Sequence, residues 1–104
     1  MTLRDLLVDA AGQLDGVKTE LATDGAITWS RAGRAFATLA PDGASAAFAL
    51  DPAVAAAAAR TPDVAPSSLG PGWVDFAPGD LDDHAADRAV AWLASAHRRL
   101  DPAN

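Results

Sequence analysis

Histidines are the residues that acid–base and metal chemistry use most often. The chain has two of them, His84 and His97, thirteen residues apart in one predicted helix. At about 100° per residue this spacing leaves them roughly 140° apart around the helix axis. Because side chains so far apart around a helix do not ligate one ion together, we expect both to have structural or surface roles.

Nucleophilic chemistry finds little support in the other side chains. The absence of cysteine excludes thiolate catalysis, disulfides and Cys-based zinc or iron–sulfur sites. No G-x-S-x-G motif is present, and Ser67-Ser68 have no predicted histidine partner nearby. Gly70-Pro71-Gly72 lacks the following Lys and Ser or Thr of a phosphate loop and is predicted to be a turn. We therefore expect no catalytic residue, no metal, no cofactor and no enzymatic activity.

Basic residues gather at two places that suit contact with phosphate. Arg31 and Arg34 flank a predicted turn at 32–33, so a hairpin tip would present two guanidiniums to a phosphate backbone. Arg98 and Arg99 end the last predicted helix. About two to four phosphate contacts give weak binding that falls steeply with salt. Arginines at hairpin tips and helix ends are also typical of a solvated surface, and the sequence leaves both interpretations open.

Trp73 is a further candidate for contact with a partner. Strand alternation places Trp73 and Asp75 on one sheet face, and it also places Ile27 and Trp29 on a common face. On an open face Trp73 would anchor a partner or stack on a base, whereas beneath the last helix it would be core. The pattern leaves Trp73 undecided and favours core positions for Trp29 and Trp92.

Composition limits the partners and the location. The chain has 104 residues, enough for one domain with a small core, and half of them are hydrophobic, many of these being alanine. Its net charge of −6 argues against indiscriminate binding of polyanions and leaves a local basic patch open. No basic, apolar leader and no apolar run of about 20 residues is present, so we expect a cytoplasmic protein without a membrane span.

The elements that must position these residues begin with an amphipathic helix. Apolar residues at helical spacing run from Leu3 to Leu14, with Thr2 as the predicted cap and Arg4 on the predicted solvent side. Four strands follow, at 18–23, 26–31, 34–40 and 44–50. The first two are joined by Asp24-Gly25, a predicted two-residue type I′ turn.

The second half of the chain alternates between helix and strand. Asp51-Pro52 predicts a helix over 53–60, with the carboxylate capping free N–H groups. A loop leads to a fifth strand at 73–76, and the last helix begins at a cap formed by Asp80 or Asp82. The predicted order is α-β-β-β-β-α-β-α. Short connections favour an antiparallel sheet of about five strands with helices on one face, an α+β two-layer sandwich.

This order, with its short motifs, resembles the MmcQ/YjbR family, whose fold is called CyaY-like after bacterial frataxin. The likeness covers nearly the whole chain. It rests on Leu14-Asp15-Gly16-Val17, Gly33-Arg34-Ala35-Phe36-Ala37 with Leu39, Leu50-Asp51-Pro52, Gly72-Trp73-Val74, and Ala96-His97-Arg98 with Leu100. The resemblance implies a double-wing DNA-binding protein and brings no catalytic residues. This sequence departs from the family at Phe48-Ala49-Leu50, where members often have lysine or other polar groups, and in the short segment before the Trp73 strand.

The frataxin fold also implies iron binding through carboxylates on the first helix and the next strand. The acids in that region are Asp5, Asp9, Asp15, Glu20 and Asp24. Asp5 and Asp9 are spaced to share one hard cation, although a solvated helix face explains the same pattern and is favoured.

These observations lead to one hypothesis and two alternatives. We expect a single domain over 1–104 that acts as a non-enzymatic, DNA-binding protein of the MmcQ/YjbR type. The residues expected to contact DNA or another partner are Arg31, Arg34, Trp73, Arg98 and Arg99. The first alternative is a protein-interaction or small-ligand module that uses the open sheet face, and the second is an acidic, frataxin-like metal-binding module.

Overall fold

Helical and extended segments alternate along the chain in the order α-β-β-β-β-α-β-β-α. The computed structural model describes residues 2–100. The elements in that range are α1 (Leu3–Ala11), β1 (Val17–Leu21), β2 (Ile27–Arg31), β3 (Arg34–Leu39), β4 (Ala46–Ala49), α2 (Pro52–Ala58), β5 (Val64–Pro66), β6 (Trp73–Phe76) and α3 (Asp83–Arg99). None of the helices between residues 2 and 100 has the length and apolar character to cross a bilayer.

The strands form one antiparallel sheet in the order β1-β2-β3-β4-β6-β5. The predicted α+β sandwich is therefore confirmed, with one strand more than expected. The additional strand is β5, three residues in a segment predicted to be a loop. Its Val64 pairs with Phe76 and its Pro66 with Val74. A strand so short has no readable periodicity, and its backbone bonds to β6 define it.

The core lies on one face of the sheet, beneath the helices. Paired residues in neighbouring antiparallel strands point to the same side, so the register defines rows that cross the sheet. Two buried rows face the helices: Ile27, Leu39, Ala46 and Phe76, and then Trp29, Ala37, Phe48 and Val74. Helix α3 packs Leu93 and Ala89 into this cluster, and α1 packs Leu7.

A β-bulge in β3 adds one more aromatic ring to the core. Trp29 pairs with Ala37 whereas the next residue, Ser30, pairs with Ala35, so Phe36 is the extra residue. Phe36 is fully buried, as is Trp29 at 1% exposure. Trp92 is partly buried against Phe48 and Phe76. The predicted core positions of Trp29 and Trp92 are confirmed.

The turn at Asp24-Gly25 differs from the prediction. Leu21 pairs with Ile27, so five residues separate the strands, and only Gly25 among them has a positive φ. The carboxylate of Asp24 accepts a hydrogen bond from the N–H of Ala26, a local contact that holds this wider loop. The two-residue turn with two positive φ angles lies between Arg31 and Arg34 instead.

Two of the three predicted helix caps are confirmed. Thr2 Oγ1 accepts from the N–H of Asp5, and Asp82 Oδ1 accepts from the N–H of Ala85. Asp51 precedes α2 as predicted, but its carboxylate makes no cap hydrogen bond. It lies 3.4 Å from Nε of Arg99 instead, so a contact between helices replaces the local one.

Arg4 joins α1 to two hairpin loops at one end of the sheet. Its Nη1 donates to the carbonyl oxygen of Gly25 at 3.0 Å, and its Nη2 donates to that of Pro41 at 2.9 Å. The sequence pattern places Arg4 on the solvent side of α1, and the residue is partly exposed there, but its guanidinium is held by these two loops. One guanidinium has several donors in a fixed plane, which suits two separate carbonyl groups.

Replacement of Arg4 by Met should therefore lower the free energy of unfolding by about 1–2 kcal/mol, because hydrogen bonds from a charged donor are among the stronger ones. The variant keeps an unbranched apolar stem and loses only the guanidinium. Urea denaturation followed by tryptophan fluorescence measures the change. Arg88→Met on the exposed face of α3 is the control and should change stability by less than about 0.5 kcal/mol. Equal effects in the two variants would contradict the bridging role.

Candidate functional site

Arg31 is the first candidate contact residue, and its position differs from the one expected at a hairpin tip. It ends β2 on the side of the sheet that faces the helices, since it alternates with Trp29. Its Nη1 donates to the carbonyl oxygen of His97 at 3.3 Å. A positive guanidinium at the C-terminal end of a helix meets carbonyls that lack helical partners and the negative end of the helix dipole. Arg31 therefore secures α3 to the sheet rather than pointing freely outward.

His97 is the buried polar residue at the same place, with 7% of its surface exposed. Its Nε2 lies 2.7 Å from the carbonyl oxygen of Asp15 in the loop after α1. Because a carbonyl oxygen only accepts, Nε2 carries the proton of this hydrogen bond. The ring also packs edge-on against Phe36 at a centroid distance of 5.7 Å. His84, by contrast, is exposed near the start of α3, so the two histidines lie at separate positions on the helix, as their spacing predicts.

The α3 C-terminus lies at the end of the sheet where β2 passes into β3, and basic residues collect there. We call this region the basic end. Its members, five of the eight Lys and Arg residues of the chain, are Lys18, Arg31, Arg34, Arg98 and Arg99. The acids between residues 2 and 100 that belong to the same end are Asp15, before β1, Asp51, after β4, and Glu20, which lies 3.9 Å from Lys18.

The five side chains of the basic end differ in how far they are engaged. Arg34 is exposed and makes no hydrogen bond or ion pair with another residue of 2–100. Lys18 is exposed and lies 3.9 Å from Glu20, a distance typical of a weak surface pair. Arg99 pairs with Asp51, and Arg98, also exposed, has an interaction of its own. The structure thus brings Arg34, Arg98 and Arg99 to one end, and it places Arg31 beneath them.

Acidic residues dominate the opposite end of the sheet. They lie in or next to the loops that connect strands there and at the start of α3. In residues 2–100 they are Asp24, Asp42, Asp63, Asp80, Asp82 and Asp83. The net charge of −6 is therefore unevenly distributed, and a ligand would meet opposite potentials at the two ends.

A row of paired strand residues, most of them polar, crosses the open face of the sheet. From edge to edge it consists of Glu20, Thr28, Thr38, Ala47, Asp75 and Ala65. A depression of about 510 Å³ lies over the middle of this row and reaches Leu69 in the loop after β5. No basic residue lines it in the described part of the chain.

Trp73 points to the open face by its register. It pairs with Ala49, and it alternates with Val74, which faces the helices. The expected common face of Trp73 and Asp75 is confirmed, and the face left undecided by the sequence is the open one. Trp73 is only partly exposed, and it lines a small apolar slot of about 210 Å³ between α2 and the turn at 70–72.

The potential metal-ligating side chains of residues 2–100 are scattered over the fold rather than clustered. Over residues 2–100, His, Asp and Glu side chains nowhere converge in groups of three or more that could hold an ion. Asp5 and Asp9 lie exposed on α1, which fits the solvated helix face.

Three features of this region were missed by the sequence patterns: the hydrogen bond of His97, the capping role of Arg31, and the row that contains Thr28, Thr38 and Asp75. Alternation assigns each strand residue a face only relative to its own strand. The register between strands, which the sequence does not state, places Thr38 and Asp75 on either side of Ala47.

Comparisons with protein-family models, curated proteins and solved structures found no match to this chain.

The docking of His97 leads to a stability prediction. His97→Ala removes the hydrogen bond to Asp15, leaves that carbonyl short of a donor and opens a cavity beside Phe36. We expect a loss of about 2–4 kcal/mol in the free energy of unfolding. Chemical denaturation measures it, and exposed His84→Ala is the control with an effect below about 0.5 kcal/mol. A loss no greater for His97→Ala than for His84→Ala would refute the structural role.

Proposed function

We propose that the protein is a non-enzymatic module that binds nucleic acid, with DNA as the partner, through the phosphate backbone at the basic end. The observation that carries this proposal is the collection of five of the eight basic side chains at one end of a chain whose net charge is −6. Random placement would spread them among the acids. Guanidinium and ammonium groups are the usual partners of phosphate oxygens.

The exposed hairpin tip is the part of the basic end best suited to reach a phosphate. Arg34 makes no hydrogen bond or ion pair there with another residue of 2–100, and Lys18 lies two strands away on the edge of the sheet. Arg98 adds a third exposed base on the neighbouring end of α3. Arg31 contributes charge beneath this surface while it holds α3 in place.

The open face is a poor surface for DNA. Its central row carries the carboxylates of Glu20 and Asp75. The basic strand residue on this face is Lys18, which lies at the edge of the sheet. Carboxylates in that position repel phosphate. The proposed contact surface therefore includes the hairpin and leaves out most of the open face. Trp73 lies at the margin of this surface.

The resemblance to the MmcQ/YjbR family supports the same partner, because members are described as double-wing DNA-binding proteins. A contact through about three phosphates gives weak affinity. The binding constant then falls with salt, with a slope of log K against log salt of about −3. Binding of this kind is independent of base sequence, since contacts to phosphate carry no sequence information.

We expect the full chain to bind a fluorescein-labelled DNA duplex with micromolar affinity at about 50 mM salt, measured by fluorescence anisotropy. The double variant Lys18→Ala/Arg34→Ala loses two exposed charges from the basic end. Its affinity should fall about tenfold, and the slope of log K against log salt should fall by about two.

The matched control is Arg60→Ala/Arg88→Ala, which removes the same charge from exposed positions elsewhere. It should lower the affinity far less and leave the salt slope unchanged. Equal losses in the two double variants would mean that net charge alone governs binding. An absence of binding at tens of micromolar protein would overturn the proposal.

A further inference from the structure

We propose that the open face of the sheet holds a second, separate site: the depression over Ala47 binds a small aliphatic amine in its protonated, ammonium form. This site does not depend on the basic end, which lies around the Arg31–Arg34 turn. It rests on the shape of the depression, on the groups that line it and on their charge.

A single small residue creates the depression. Ala47 lies between Thr38 on one side and Asp75 on the other in the row across the sheet. Because neighbouring strands are about 4.8 Å apart, Thr38 and Asp75 are separated by about 10 Å with only a methyl group between them. Ala47 is 4% exposed and forms the floor. The volume of about 510 Å³ falls within the range typical of small-ligand sites.

The lining combines one charge with hydroxyl and apolar groups. Asp75 is the single charged residue that lines the depression in the described range. Its exposed carboxylate makes no hydrogen bond or ion pair with any residue between 2 and 100. The hydroxyls of Thr28 and Thr38 share the row, and Leu69, 56% exposed, supplies an apolar wall.

This combination selects the chemical class of the ligand. A primary ammonium has three N–H donors and one positive charge, which match the carboxylate of Asp75. The hydroxyl of Thr38, about 10 Å across the row, would meet a second polar group at the other end of the ligand. A short carbon chain attached to it would cover Leu69 and Ala47, where burial of apolar surface is favourable. Asp75 would repel an anionic ligand, and a neutral one would gain no ion pair. The acids of the neighbouring loops raise the local concentration of cations in the same region.

The test is a titration of the ¹⁵N-labelled full chain with putrescine, followed by NMR at about 0.15 M salt, where long-range attraction between exposed charges is largely screened. Amide shifts should concentrate at residues 28, 38, 47, 69 and 75. Butane-1,4-diol has the same length without the charge, and it should cause shifts at least tenfold smaller at equal concentration.

Asp75→Asn keeps the shape of the side chain and removes its charge, and it should weaken putrescine binding at least tenfold. Asp80→Asn is the matched control, because Asp80 is an exposed acid in the loop before α3 that does not line the depression. It should leave the affinity within twofold of the wild type. Thr38→Val gives a second variant inside the site and should weaken binding severalfold.

Three results would overturn the proposal. The first is an equal loss in Asp75→Asn and Asp80→Asn, which would indicate general attraction to a negative protein. The second is an equal response to putrescine and to the diol. The third is a set of shifts spread over the acidic loops with none at Thr38, Ala47 or Asp75.

Discussion

The docking of the α3 C-terminus onto the sheet is the constraint on which the rest of the molecule depends. The ring of His97 donates to the carbonyl of Asp15, and the carbonyl of His97 accepts from Arg31. These two bonds join α3, the loop after α1 and the end of β2 beside the buried ring of Phe36. Because the ring of His97 is buried, loss of the Asp15 carbonyl would leave the Nε2–H of that ring unsatisfied. The helix therefore has one position on the sheet, and Arg98 is brought to the hairpin that carries Arg34.

This constraint also explains why net charge is a poor guide to the surface. The chain carries fourteen acids and eight bases, yet most bases meet at one end and many acids at the other. Helix polarity contributes, since bases favour helix C-termini and acids favour N-termini, as at Asp82 and Asp83 in α3. A local field of either sign is then available to a ligand, although the average is negative.

Two surfaces of opposite character follow, and they lie on different parts of the fold. Positive side chains surround the Arg31–Arg34 turn, whereas the open face has Asp75 beside a floor of Ala47. A phosphate and an ammonium would therefore bind at separate places, and neither would compete directly with the other. The partly exposed Trp73 lies between these surfaces, at the start of β6.

The sequence by itself determined the helices, four of the strand segments in one run, the later strand at Trp73 and the α+β class, because periodicity and turn residues are local properties. It also placed Arg34, Arg98 and Arg99 in exposed positions near chain turns. Only the tertiary structure decided that β5 is a strand, that Asp51 pairs with Arg99, and that Arg4 bridges two loops. It also decided the partners of His97, which lie 66 and 82 residues away. Such contacts depend on strand register and on the position of helices over the sheet, which no local pattern specifies.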